Sequence, residues 1–88
     1  MVSCLACERT PRDLRGSYTG SRDGKSYLIV ADDNGGGCGP IEVDGKIWAY
    51  AKGTPGPIGP GWHHIKCGEE IEFRVPAGVV YSFDYWGP

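Results

Sequence analysis

Four cysteines are the residues whose type and spacing most directly suggest chemistry in this chain. Cys4 and Cys7 are separated by two residues, a spacing at which two thiolates grip one zinc ion from a tight turn. Cys38 and Cys67 each precede a glycine, so nearby backbone amides can turn toward the sulfur. Four thiolates complete a closed, tetrahedral structural site. We therefore predict zinc bound by Cys4, Cys7, Cys38 and Cys67.

Other states of the cysteines stay open at this point. His63 or His64 can replace Cys38 as a ligand, which would give a site of three sulfurs and one nitrogen. The thiols can also be free or buried, or they can form disulfides in an exported form of the chain, where four cysteines allow three pairings. No βαβ pattern surrounds Cys4, so a thioredoxin-like redox role is not predicted.

Two neighbouring histidines could serve in catalysis, but their spacing argues against a shared site. His63 and His64 lie in a predicted strand, where adjacent side chains face opposite sides. We expect one histidine to lie against the core and the other to be exposed. The serines lack a nucleophile-elbow motif, and Asp32-Asp33-Asn34 lacks the spaced ligands of a calcium loop. We predict no catalytic residue and no enzymatic activity, with a small His/Cys metalloenzyme as an alternative.

Aromatic side chains are the remaining candidates for binding. Trp48, Trp62, Tyr85 and Trp86 lie in predicted strands, where about half of the side chains are exposed. Tyr85 and Trp86 lie near the end of the sequence, so we expect them to form an exposed pair. Exposed aromatic rings can contact a protein partner or stack on sugar rings. A carbohydrate-binding module is therefore an alternative to a protein-interaction module.

The elements that position these residues are predicted to be strands. Fifteen glycines and seven prolines in 88 residues favour many turns and disfavour long helices. Apolar and polar residues alternate in several short segments with a spacing of about ten residues, which is typical of a sandwich or small barrel. We predict an all-β fold, a small β-sandwich or partly open barrel of six or seven short antiparallel strands. Residues 1–24 form an irregular arm and residues 25–88 the sandwich core of one domain.

Turn chemistry predicts how these strands connect. Asp44-Gly45 and Asp23-Gly24 are both typical of two-residue hairpin turns, and the second would join a weak strand at 16–21 to a strand at 25–31. Residues 52–61 contain three prolines and four glycines, so they cannot form a central strand. We expect Ile58 to pin this loop to the core.

The segment 41–67 resembles the PEGA-type β domain, which is related to transthyretin-like sandwiches. The shared residues are Ile41-Glu42-Val43-Asp44-Gly45-Lys46, Thr54-Pro55 with Ile58, and Pro60-Gly61-Trp62-His63-His64-Ile65. The P-E-G-A sequence of the family is absent, and Pro60-Gly61-Trp62 stands in its region. The resemblance implies a sandwich without catalytic residues that serves in attachment or recognition.

Charge and hydropathy bear on partners and location. The net charge is −2, which gives no general attraction to nucleic acid or to an anionic membrane. No segment approaches the roughly 20 apolar residues of a membrane span, and residues 1–13 do not resemble a secretory signal. We therefore expect a cytoplasmic protein that binds a protein partner or forms a homo-oligomer.

Overall fold

A computed structural model of the protein describes residues 11–87, and eight short strands make up nearly all of its regular structure. The only helical segment among these residues is a short 3₁₀ turn at Asn34–Gly36. The strands are β1 (Gly16–Gly20), β2 (Tyr27–Val30), β3 (Glu42–Val43), β4 (Lys46–Ile47), β5 (Gly56–Pro57), β6 (Gly61–Cys67), β7 (Glu69–Val75) and β8 (Val79–Phe83). The predicted all-β fold is confirmed. Among residues 11–87, no helix is long and apolar enough to cross a lipid bilayer.

The strands form two four-stranded sheets, with the orders β1-β8-β2-β5 and β4-β3-β6-β7. All pairs are antiparallel except β2 and β8, which run parallel. The predicted hairpin at Asp23-Gly24 is therefore wrong, because β8 lies between β1 and β2. Since β1 belongs to the first sheet, the sandwich begins before the predicted start at Lys25.

The core lies between the two sheets and is built by strict alternation. On β7, Ile71, Phe73 and Val75 are buried while the intervening side chains are exposed. From the opposite sheet, Tyr81 and Phe83 of β8 place their ring centroids 5.4 and 5.3 Å from that of Phe73. These three rings account for the largest fully buried side chains. Burial of this apolar surface is the main force that holds the sheets together.

Two loop predictions are confirmed. Asp44 and Gly45 both have positive φ, 53° and 84°, as a primed hairpin turn between β3 and β4 requires. Ile58 packs against the core, as expected. Within the Pro/Gly-rich loop, Gly56–Pro57 forms the two-residue edge strand β5, a position where the missing N–H of a proline is tolerated.

Candidate functional site

Two of the four cysteines are joined to each other. Cys67 ends β6 with its side chain buried in the core, and Cys38 lies in the loop between β2 and β3. The two form a disulfide with their Cα atoms 5.2 Å apart. The Asn34 side-chain amide donates a hydrogen bond to the carbonyl of Cys67 at 3.1 Å. The loop at 31–41 is therefore fastened to the end of β6.

This pairing bears directly on the predicted zinc site. Zinc binds cysteine as a thiolate, and a disulfide sulfur is not a thiolate, so Cys38 and Cys67 in this state do not fit a zinc site. Cys4 and Cys7 lie outside the described residues. Within residues 11–87, no group of three or more His, Cys, Asp or Glu side chains is arranged to hold a metal ion.

His63 and His64 face opposite sides of β6, as predicted. Both ring nitrogens of His63 are engaged: Nδ1 lies 2.5 Å from a carboxylate oxygen of Asp44, and Nε2 lies 2.6 Å from the carbonyl oxygen of Gly59. Both neighbours are acceptors, so both contacts are hydrogen bonds only when the ring is doubly protonated. His63 thereby ties the β3–β4 turn to the Pro/Gly-rich loop.

Asp44 is held from two directions. Its second carboxylate oxygen accepts a hydrogen bond from the His64 backbone N–H at 2.9 Å. Partial burial by itself raises the pKa of Asp44, but the hydrogen bonds from His63 and from the His64 amide outweigh it, and the pKa is lowered. The Asp44–His63 pair is thus a structural contact between two loops.

His64 lies on the outer face, beside the carboxylates of β7. Its ring nitrogens lie 3.7 Å from Glu70 and 3.5 Å from Glu72. All three side chains are about half exposed or more, so solvent screens these contacts. The predicted division between an inner and an outer histidine is therefore confirmed.

The four aromatic residues predicted to bind a partner differ in exposure. Trp62 is 65 % exposed and Tyr85 39 % exposed. Trp48 is partly buried and packs at 5.0 Å from Tyr50. Trp86 is buried against Phe83, and its indole N–H donates to the carbonyl of Asp32 at 2.6 Å. The expected exposed pair is therefore wrong for Trp86, because β8 ends at Phe83 and the alternation does not continue.

Trp62 shares a surface with a residue that the sequence did not single out. Leu14, in the loop before β1, is 66 % exposed. Both side chains line one cavity of about 290 Å³. We call this region the Leu14–Trp62 surface; it consists of Asp13, Leu14, Arg15, Trp62, Glu72, Phe73 and Arg74. Leu14 stands alone in a polar segment without periodicity, so no sequence pattern indicated its role.

The loop that carries Leu14 is held by Asp13. One carboxylate oxygen of Asp13 accepts hydrogen bonds from the Tyr81 hydroxyl and from the backbone N–H groups of Arg15 and Gly16, at 2.5, 3.0 and 3.1 Å. Burial, and the hydrogen bond to Asp13, raise the pKa of Tyr81. Tyr81 therefore stays a neutral donor that anchors this loop to the core.

Two arginines fasten the same loop to the last described residues. The Arg12 guanidinium donates to both carboxylate oxygens of Asp84 at 3.1 and 3.0 Å. Arg15 donates to the carbonyl of Gly87 at 2.6 Å. The bidentate geometry of the first pair favours a single orientation. Leu14 is thus presented from a loop that is fixed at both of its flanks.

Comparison with known proteins identifies no similar family, since no protein-family model, no curated protein and no solved structure matches this chain.

Proposed function

We propose that this protein is a β-sandwich module that binds another protein chain through the Leu14–Trp62 surface. The observation that supports this proposal best is the exposure of Trp62, at 65 %, beside Leu14, at 66 %. Burying large apolar side chains such as these releases free energy of about 25 cal/mol for each Å² removed from water. Tryptophan is also enriched among the residues that dominate binding energy at protein interfaces.

The charges around this pair suit a protein interface. Arg15, Glu72 and Arg74 border the cavity that Leu14 and Trp62 line. An apolar centre with a polar, partly hydrated rim is the usual anatomy of such interfaces. Both signs of charge are present, which favours a partner of mixed charge over a polyanion such as nucleic acid.

The surface is also rigidly supported. Trp62 lies on β6, which pairs with β7 at seven successive positions, and its direct neighbour on β7 is Arg74. Leu14 follows Asp13, which is hydrogen-bonded to Tyr81 of the core. A surface that is ordered before binding loses less conformational entropy when the partner docks.

A matched pair of variants tests the proposal. Leu14→Ser combined with Trp62→Ser removes the apolar centre, whereas Ile47→Ser removes a side chain of equal exposure, 66 %, on β4. Self-association is measured by sedimentation equilibrium, and proteins retained from an extract of the source cells are quantified for each variant. We expect the double variant to lose association and the Ile47 variant to keep it. Equal association by the double variant and the wild type would contradict the proposal.

A second candidate function rests on a different cavity. Trp48 and Tyr50, together with Asp33 and Lys52, line a space of about 200 Å³. The Lys52 ammonium lies 3.5 Å from the Asp33 carboxylate. Aromatic rings next to charged hydrogen-bonding groups suit a sugar ring, whose faces are apolar and whose hydroxyls donate and accept. Glycan-array binding that is lost on Tyr50→Ala would support this function, and an array without binding would exclude it.

The structural zinc site remains a separate proposal that applies to the reduced chain. In the disulfide the Cα atoms of Cys38 and Cys67 are 5.2 Å apart, so after reduction both thiols would be within reach of one ion. Two such thiolates can contribute half of a tetrahedral site. The other two ligands would have to come from Cys4 and Cys7.

A further inference from the structure

We propose that the partner is a second copy of this chain, and that the two copies join by antiparallel pairing of their β7 strands about a twofold axis at Phe73. This inference rests on the proposed function, because it places the second copy on the Leu14–Trp62 surface. It also identifies the strand, the register and the charge pairs that hold the two copies together.

The edges of the two sheets differ in how well they are protected. In each sheet order the outermost strands are β1 and β5, and β4 and β7. The strands β4 and β5 are two residues long, too short to direct the pairing of another chain. The outer side of β1 is partly covered by the chain before it, where Arg12 bridges Ser17 and the Pro11 carbonyl accepts from the Tyr18 N–H at 2.9 Å.

Among residues 11–87, the strand β7 is the long edge without backbone pairing on its outer side. It has seven residues and, in this part of the chain, pairs only with β6. No loop or side-chain hydrogen bond described for residues 11–87 reaches a backbone group of Glu69–Val75. A long edge with unpaired N–H and C=O groups is a template for adding a strand from another chain.

The charges on the outer face of β7 select one register for self-pairing. A twofold axis at Phe73 places Glu72 of each copy opposite Arg74 of the other, which gives two attractive pairs and no like pair. An axis at Glu72 would place the two Glu72 side chains opposite each other, and an axis at Ile71 would oppose Glu70 to Glu72. Of these three registers, only the one at Phe73 avoids like-charge pairs, and it also supplies two attractive ones.

Arg74 lacks a carboxylate partner among residues 11–87. Within residues 11–87, no carboxylate oxygen lies within 4.0 Å of its guanidinium, whereas Glu72 has His64 at 3.5 Å. Arginine forms bidentate pairs with carboxylates when the geometry allows. A second copy would supply the carboxylate that residues 11–87 do not.

The apolar residues of the proposed interface lie near the same twofold axis. Phe73, Glu72 and Arg74 line the cavity that Leu14 and Trp62 share. A twofold axis at Phe73 therefore brings the exposed Leu14 and Trp62 of both copies close to it. In such an isologous contact each residue occurs twice, so one apolar pair per chain yields four buried side chains.

Charge reversal within β7 tests the inference by sedimentation equilibrium on the full chain. Glu72→Arg and Arg74→Glu each turn two attractive pairs into two repulsive ones, and we expect either variant to raise the dimer Kd at least about tenfold. The double variant E72R/R74E restores both pairs with the signs exchanged, so it should dimerise again. A mixture of the two single variants should form a heterodimer, because all of its cross-strand pairs are attractive.

Two matched controls carry the same change in charge away from the edge. Glu42→Arg lies on β3, and Arg22→Glu lies in the segment between β1 and β2. Both should dimerise like the wild type, and circular dichroism should show the same strand content in every variant.

The outcomes separate this inference from the function on which it rests. A wild type that stays monomeric, or a dimer that tolerates both single reversals, overturns the β7 pairing. The proposed function survives that result if Leu14→Ser with Trp62→Ser still abolishes binding to another protein. Unchanged association by that double variant overturns the proposed function itself.

Discussion

At the scale of single residues, His63 is held by contacts at both of its ring nitrogens. Its two nitrogens contact Asp44 and Gly59, so it links two turns that lie far apart in the sequence. Its side chain is only 14 % exposed. The ring therefore acts as a cross-link between two loops.

The Asp44 carboxylate should make stability depend on pH in acid. Its pKa is lowered in the folded chain, so its contribution is fully present above its unfolded pKa of about 3.9 and is lost as pH falls through the lower folded value. Urea unfolding of the wild type and of Asp44→Asn, at about pH 6 and about pH 3, measures this. We expect the stability advantage of the wild type to shrink on acidification. An advantage that stays constant or grows would contradict this assignment.

Gly16 is a second residue whose role can be tested directly. A Cβ atom at this position would lie 2.0 Å from the backbone oxygen of Ser82 on β8. Gly16→Ala should therefore lower the free energy of unfolding by about 1 to 3 kcal/mol. Gly20→Ala on the same strand is the control, since nothing lies within 4 Å of its Cβ position. Equal stability of both variants in urea titrations would show that β1 and β8 do not approach this closely.

The orientation of a side chain could be predicted from the sequence where a strand continued on both sides of the residue. The inward Ile65 and Cys67 and the outward Trp62 and His64 follow from the period of two. Trp86 was mispredicted because its position depends on where β8 ends, and no turn residue marks that point. Leu14 was missed because its exposure depends on the hydrogen bonds of Asp13, which involve a partner 68 residues away.

At the scale of elements, local patterns indicated the strands but not all of their partners. The pairing of β6 with β7 could be predicted from the sequence, because the two strands are consecutive and both alternate between apolar and polar residues. The parallel pair of β2 and β8 joins segments from opposite ends of the described chain. The bend at Gly24 does exist, with φ of 76°, yet the chain that leaves it passes to the far side of β8. A turn sequence such as Asp23-Gly24 predicts the local bend of the chain, but it does not predict which strands pair in the sheet.

The disulfide should be the main covalent support of the loop between β2 and β3. It closes a loop with a sequence separation of 29, and the chain-entropy model assigns such a cross-link about 3 kcal/mol or slightly more. Reduction with dithiothreitol should lower the urea midpoint of the wild type. The variant Cys38→Ala with Cys67→Ala is the control, because reductant should leave its midpoint unchanged. A wild type insensitive to reductant would contradict a structural role for this bond.

At the scale of the whole molecule, the redox state of Cys38 and Cys67 determines whether these residues can bind zinc. The oxidised chain has no thiolate at Cys38 or Cys67 and should bind less than about half an equivalent of zinc. The reduced chain should bind about one equivalent if the predicted four-cysteine site forms. Elemental analysis of both forms after gel filtration measures this. One equivalent of zinc on the oxidised chain would show that other residues hold the ion.

The outer surfaces of the two sheets differ in how many aromatic side chains they expose. One sheet buries Tyr81 and Phe83 in the core, whereas the other exposes Trp62 beside β7, a long strand at the edge of the sheet. The sequence predicted that some of its aromatic residues would be exposed and that the protein would interact through them. It could not predict which ones, because exposure depends on how the two sheets and the Leu14 loop meet.

Association through the Leu14–Trp62 surface is tested most directly by following the tryptophan indole N–H signals by NMR as the protein concentration is raised. Trp62 is exposed at this surface, while Trp48 lines a separate cavity with Tyr50, so the Trp48 signal is an internal control. We expect the Trp62 indole and the Leu14 amide to shift with concentration and the Trp48 indole to stay in place. Constant Trp62 and Leu14 signals over a range where the mass of the particle increases would contradict the account.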